Sequence, residues 1–268
     1  MFPVELSVAA DDLRLEIKPA LDRARALGFR VVDIGAADGP LSPGELSTSG
    51  RRHFLRHLGD LGLSLKSLRG PVSGPGYANG AAGERRLEVA KGVISLAGEM
   101  KVPVVSTTLG GFESGDASSQ SNRLQEALET LANAADQYGV TVAIENAGVP
   151  SADLVALLKR INCPRLAACC DSGAMLMQGE DPHRAADTMA GKIRLVRARD
   201  AVRGSAGATG YETAIGGGQL DPVHFLAGLT EAGYQGPLVI SRSTGVNPAA
   251  DIAHAKRVFD AILKPAGF

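Results

Sequence analysis

Eight short runs rich in Val, Ile and Leu recur along the chain, at residues 4–8, 31–35, 63–68, 102–107, 140–145, 166–171, 193–199 and 237–241. Between them lie stretches of helical periodicity, such as 123–138 and 251–263. Strand alternating with helix through a whole chain argues for parallel β/α units, because a parallel strand pair needs a long crossover and a helix is the usual one. Eight units predict closure into a barrel, and 268 residues lies close to the roughly 250 typical of one. The expected fold is α/β: one (β/α)8 TIM barrel over residues 1–268, with parallel strands and its site at the C-terminal face.

Loop lengths point the same way. Helix-to-strand joints are short and marked by Gly28, Gly62, Gly139, Gly191 and Gly233, residues suited to a left-handed helix cap. Strand-to-helix joints are longer and rich in Gly, Ser and Pro, at 69–83, 108–121, 172–182 and 200–220. Long loops on one face are where a barrel builds its site. The 200–220 loop, with Gly204, Gly207, Gly210 and Gly216 to Gly218, reads equally as a mobile lid or as a slack connection.

Side chains alternate along a strand, so parity separates the helix-facing set from the axis-facing set. Val140, Val142 and Ile144 form an apolar set, which turns Thr141, Ala143 and Glu145 toward the axis. The same parity turns Ala167, Cys169 and Asp171 inward, then Leu195, Arg197 and Arg199, then Val239 and Ser241. Nearer the N-terminus Glu5, Ser7, Asp33 and Lys66 fall on the inner face. Glu145, Asp171, Arg197 and Ser241 thus converge at the mouth. Buried carboxylates need a cation or their own protons, and Arg197, Arg199 and Lys66 are the candidate partners.

Composition narrows the function classes. Net charge is −1 and the isoelectric point is near 6.5, which gives no electrostatic case for nucleic acid or an anionic membrane. No apolar run approaches the roughly 20 residues needed to span a bilayer. The first residues carry acids rather than a basic leader, and Cys163, Cys169 and Cys170 lack metal-type spacing; both predict a cytoplasmic protein with small buried thiols. The five histidines all fall in helical segments, away from the strand ends.

The runs TVAIEN ending near Glu145, CDSG carrying Asp171, IRLVRARDA, and Leu220 through GYQGPLVIS resemble the xylose isomerase-like barrels, which include keto-sugar 3-epimerases, hydroxypyruvate isomerase and inosose dehydratase. The resemblance spans essentially the whole chain and is clearest over 123–263. It implies a divalent ion held by a glutamate, an aspartate, a histidine and a second glutamate, with the glutamates moving a proton through an enediolate. Here Glu145 and Asp171 match the first two ligands, while Arg197 stands at the histidine position and Ser241 at the second glutamate. Ala174 occupies a further histidine position, and Arg203 matches an arginine that contacts substrate hydroxyls. Arginine has no lone pair for a metal, and serine is no carbon base without an activating partner. The resemblance therefore implies either no cofactor or a weakly bound Mg or Mn ion on Glu145 and Asp171. The histidine-rich nucleases of the same fold are excluded.

Two functions follow. One is an isomerase or epimerase acting by proton transfer on a small polyhydroxy carbonyl compound, with Glu145 and Arg197 catalytic. The other is a metal-free binding protein or inactive homologue that recognises an anionic sugar derivative through Arg69, Arg199, Arg203, Ser241 and Arg242 at a cationic mouth. Against both stands a structural role for Arg197 and Arg199, paired with Glu145, Asp171 and Asp200. Gly216-Gly217-Gly218 reads as a turn rather than a phosphate cradle, and the outer helices leave self-association open.

Overall fold

The computed structural model describes residues 2–111, 117–205 and 209–263; Gly207 and the chain's two ends lie outside them. Eight parallel strands close into a barrel: β1 (Glu5–Ala9), β2 (Val31–Gly35), β3 (Ser64–Arg69), β4 (Val104–Thr108), β5 (Thr141–Glu145), β6 (Leu166–Asp171), β7 (Ile193–Ala198) and β10 (Pro237–Ile240). Closure comes from β1, which pairs with β2 on one side and β10 on the other. Helices α1 (Ile17–Ala26), α2 (Thr48–Asp60), α3 (Gly80–Met100), α4 (Ala117–Tyr138) and α5 (Ser151–Ile161) follow the first five strands. After β6 come α6 (Ser172–Gln178) and α7 (Pro182–Thr188); α8 (Pro222–Glu231) precedes β10 and α9 (Pro248–Leu263) follows it. Each expected strand is present, with no end moved by more than two residues.

The joints behave as their glycines require. Gly28, Gly62, Gly139, Gly191 and Gly233 all have φ between +65° and +83°, where a side chain is strained. The long 200–220 connection is neither open lid nor slack chain over its described part. It folds into an antiparallel hairpin of β8 (Asp200–Val202) and β9 (Tyr211–Thr213).

Two apolar layers divide the interior. The larger lies between strands and helices and takes in Val32, Ile34, Val142 and Ile144. The smaller fills the axis with Ala9, Val104, Ala143, Cys169, Leu195 and Val239, so the parity expected for β5, β6, β7 and β10 holds. Lys66 departs from it. The β2–β3 register jumps from Val32↔Leu65 to Asp33↔Ser67, so Lys66 is the extra residue of a bulge and is exposed. Ser67 and Arg69 take the inner face in its place.

Asp200 explains the shape of the connection beyond β7. It is buried, and its carboxylate accepts the amides of Ala201, Gly216, Gly218 and Leu220 at 2.8–2.9 Å. A side chain at Gly218 would stand 2.2 Å from Asp200 Oδ1, so the close approach demands glycine there. Asp200 is thus satisfied by backbone rather than by an arginine, and the glycine run is a turn whose amides are already used.

Two expectations follow. Asp200→Ala strips four amides of their acceptor, two of them fully buried, and should lower unfolding free energy by about 3 kcal/mol in urea titration; a loss under about 1 kcal/mol would contradict this account. Burial first, and then the neighbouring Glu145 for Cys169 and Asp171 for Cys170, raise both thiols well above their ordinary value of 9.0. The folded chain then keeps protons that the unfolded chain loses, so stability is full below pH 9.0 and falls as pH rises past it. In native protein a thiol reagent at neutral pH should label the half-buried Cys163 alone, and denaturant should bring all three cysteines into reaction. Native labelling of Cys169 or Cys170 would refute their sealing.

Candidate functional site

Above the apolar axis layer lies a layer of charges. Arg197, on β7, is only 2% exposed and reaches across the axis. Its Nε donates to Glu145 Oε1 at 2.9 Å, Nη1 to Asp33 Oδ2 at 3.0 Å, and Nη2 to Ser106 Oγ at 2.9 Å. The Ser67 hydroxyl donates to the other Asp33 oxygen at 2.5 Å. Burial by itself would lower the pKa of Arg197, but Asp33 and then Glu145 raise it well above the ordinary arginine value. The guanidinium is a permanent cation, as a buried carboxylate pair requires.

Asp171 has a different partner from the one its position suggested. Arg199 grips it with two bonds, Nε to Oδ1 at 3.0 Å and Nη2 to Oδ2 at 2.8 Å, the fork geometry that makes arginine–carboxylate pairs strong. Asp171 Oδ1 also accepts the Ala174 amide and caps α6. Arg197 therefore joins Glu145 to Asp33 rather than to Asp171.

The remaining arginines are matched as well. Ser241 donates its hydroxyl to Asp12 Oδ2 at 2.5 Å, and the Arg242 amide donates to the same oxygen. The Arg242 side chain goes to Asp251 on α9. Arg69 bonds Asp11 at 2.7 Å and lies 3.8 Å from Asp12. Glu212, on the hairpin strand β9, accepts from the amides and hydroxyls of both Ser243 and Thr244, and so fastens the hairpin to the β10–α9 loop. It lies 3.8 Å from Arg199 and 3.9 Å from Arg242. Arg69, Arg197, Arg199 and Arg242 thus face Asp11, Asp12, Asp33, Glu145, Asp171, Glu212 and Asp251. The cationic mouth expected from the arginines alone meets a carboxylate majority.

Arg203 stands apart. Its guanidinium packs over Gly179, and it lines a groove of about 370 Å³ beside α6, α7 and α8, together with His183 and His224. Those two imidazoles stack with centroids 4.0 Å apart. The cavity at the mouth itself, of about 670 Å³, lies over the ends of β1, β2 and β3 and is lined by Asp11, Asp12, Arg69 and Ser243 among others. Asp11 and Asp12 follow β1 directly, a position that could have flagged them as site residues, since catalytic and binding groups of such barrels sit just past the strand ends.

Glu145 keeps one free hand. Oε1 is held by Arg197, while Oε2 takes no hydrogen bond from a described residue. The donor set does not fit a divalent ion. Such an ion needs several oxygen or nitrogen lone pairs at once, whereas Asp171 is occupied on both oxygens, Arg197 has none to give, and Ser241 is spent on Asp12. Among the described residues no three His, Cys, Asp or Glu side chains gather to hold a metal.

Residues 21–262 match the sequence profile of the family described as xylose isomerase-like TIM barrel. Among solved structures, the chain is similar to a xylose isomerase domain protein from Planctomyces limnophilus, with a TM-score of 0.84, 21% identity and 98% of both chains covered. It is also similar to an L-ribulose 3-epimerase, with a TM-score of 0.77, 19% identity, and 97% of this chain and 95% of that one covered. A third is a xylose isomerase-like TIM barrel protein from Mycobacterium smegmatis in complex with magnesium, with a TM-score of 0.74, 19% identity, and 98% and 97% covered. Identities this low speak for the fold alone. No curated protein matches the sequence.

Arg197→Met should leave Asp33 and Glu145 buried without a cation and cost about 3–5 kcal/mol of stability in urea denaturation. Adding Asp33→Asn and Glu145→Gln to that variant removes the stranded charges and should restore most of the loss. A triple variant no more stable than the single one would show that the ion pairs are not what Arg197 supports.

Proposed function

Since the chain belongs to the xylose isomerase-like TIM barrels, we propose that it binds a small sugar-like polyhydroxy compound at the C-terminal mouth without a divalent ion. One observation carries the reading: guanidinium groups occupy the carboxylates that would otherwise serve an ion, Arg197 on Glu145 and Arg199 on Asp171. The neighbouring solved structures include proteins described as an L-ribulose 3-epimerase and a D-psicose 3-epimerase in the presence of D-fructose, which supports a ligand of sugar type. The polar side of the mouth cavity, Asp11, Asp12, Arg69 and Ser243, presents mostly acceptors. Hydroxyl groups satisfy acceptors, and a phosphate or carboxylate would add charge beside Asp11 and Asp12. The preferred ligand is therefore neutral, in contrast to the anionic derivative that the arginine count suggests.

A second reading, one-base proton transfer in the manner of an isomerase, rests on Oε2 of Glu145, which takes no hydrogen bond from a described residue. Arg197 would hold that carboxylate oriented. Transfer on two faces of a carbon needs a second base, and Ser241, hydrogen-bonded to Asp12, is no such group.

A thermal-shift and calorimetry panel in chelator-treated protein separates these readings. Neutral ketoses and polyols should stabilise the fold more than their phosphates, and added Mg or Mn should not change their affinity. Tighter binding of sugar phosphates, or binding that requires an ion, would overturn the proposal. Hydrogen exchange from a bound ketose into deuterated water that Glu145→Gln abolishes would establish the second reading; binding without exchange would leave recognition alone.

A further inference from the structure

The mouth cavity has a second character that a sugar does not use. Leu15, Val72 and Val89 are 48%, 40% and 38% exposed, three of the large apolar side chains left most open among the described residues, and all three line it. They stand on separate segments, the β1–α1 loop, the β3–α3 loop and α3, so no single exposed stripe accounts for them. Exposed apolar groups scattered singly are ordinary, but several converging on one concavity mark a place where apolar ligand surface is buried.

The segments that carry these walls are fixed. Arg86, buried on α3, donates to the carbonyls of Pro71, Ser73, Pro75 and Thr108. The hydroxyls of Thr107 and Thr108 donate to the carbonyls of Pro71 and Val72 at 2.7 and 3.1 Å. On the other side Arg14, with φ +54°, donates to the carbonyls of Gly245 and Ser243, which anchors the turn that presents Leu15. Exposure of Leu15 and Val72 is thus built by anchored backbone and is not the fraying of a loose loop. The polar wall of Asp11, Asp12 and Arg69 lies in the same cavity, joined by the Gly35 amide bonded to Asp11 at 2.6 Å.

We infer that this cavity takes a polyhydroxy compound bearing an apolar substituent, such as an aryl or alkyl glycoside. The hydroxylated end meets Asp11, Asp12 and Arg69, and the substituent lies against Leu15, Val72 and Val89. The volume of about 670 Å³ suits such a two-part ligand, since pockets of roughly 300–1,000 Å³ accommodate drug-sized molecules. The inference rests on the polyhydroxy reading above for its polar half and on the exposed side chains for the other.

The test uses matched pairs, methyl against hexyl and methyl against phenyl β-glucoside, titrated calorimetrically into the full chain. The substituted member should bind roughly tenfold tighter or better, as expected when two or more buried methylene equivalents leave water. Leu15→Asp and Val72→Asp, both at exposed positions, should remove that gain and leave the affinity for the methyl glycoside unchanged. Equal affinity across a pair would overturn the inference while leaving polyhydroxy binding intact. A gain that survives both substitutions would overturn the assigned location. Failure of every glycoside to bind would overturn this inference together with the reading it rests on, whereas binding of hexanol or phenol as tightly as the glycosides would overturn the polar half alone.

Discussion

A single guanidinium holds the two sides of this barrel together. Arg197 crosses the axis from β7 to Asp33 on β2 and Glu145 on β5, with Ser106 of β4 taking a third bond. An unpaired charge in that place would be expensive. Each carboxylate is tolerable only because the arginine is there, and the arginine only because both are. The rest of the mouth follows from this arrangement. With the centre occupied, Asp171 turns to Arg199, Ser241 and Arg242 turn to Asp12, and open space is displaced toward β1, β2 and β3. The chemistry at the mouth is set by which lone pairs remain free once the ion pairs have formed.

Much of this was legible in the residues. Eight apolar runs and the asymmetry of their loops define the barrel, because a parallel strand leaves few ways to bury both its faces. Alternation along 140–145 and 166–171 places Glu145 and Asp171 inward, since one shift of register would expose every apolar side chain. Arg197 at a position that resembles a metal ligand signals a changed site, because guanidinium chemistry is the same in any fold.

What was not legible depends on pairing across space. Nothing local joins residue 33 to residue 197; only the closed ring brings β2 within reach of β7. Lys66 was misplaced because a bulge adds a residue without marking itself in the pattern. Arg203 follows family spacing, yet its guanidinium packs over Gly179 in the groove beside α6, α7 and α8. Glu212 sits in a short hairpin with no strong period, so its hold on Ser243 and Thr244 could not be read from the chain. Counting arginines leaves out their acceptors, and the ion pairs of Arg69, Arg197, Arg199 and Arg242 depend on where those lie in space.

The reach of these contacts along the chain bears on how the molecule is made. Arg197 and Asp33 are 164 residues apart, and Ser241 and Asp12 are 229 apart. During synthesis Asp33 and Glu145 leave the ribosome before the cation that neutralises them, and Asp12 waits almost the entire polypeptide for Ser241. Partial barrels on the nascent chain therefore carry stranded acids and open strand edges. Such a chain gains little from folding early. Contacts this distant in sequence carry a large loop-closure cost, so the ion pairs of the mouth are completed only once the last strands have been made.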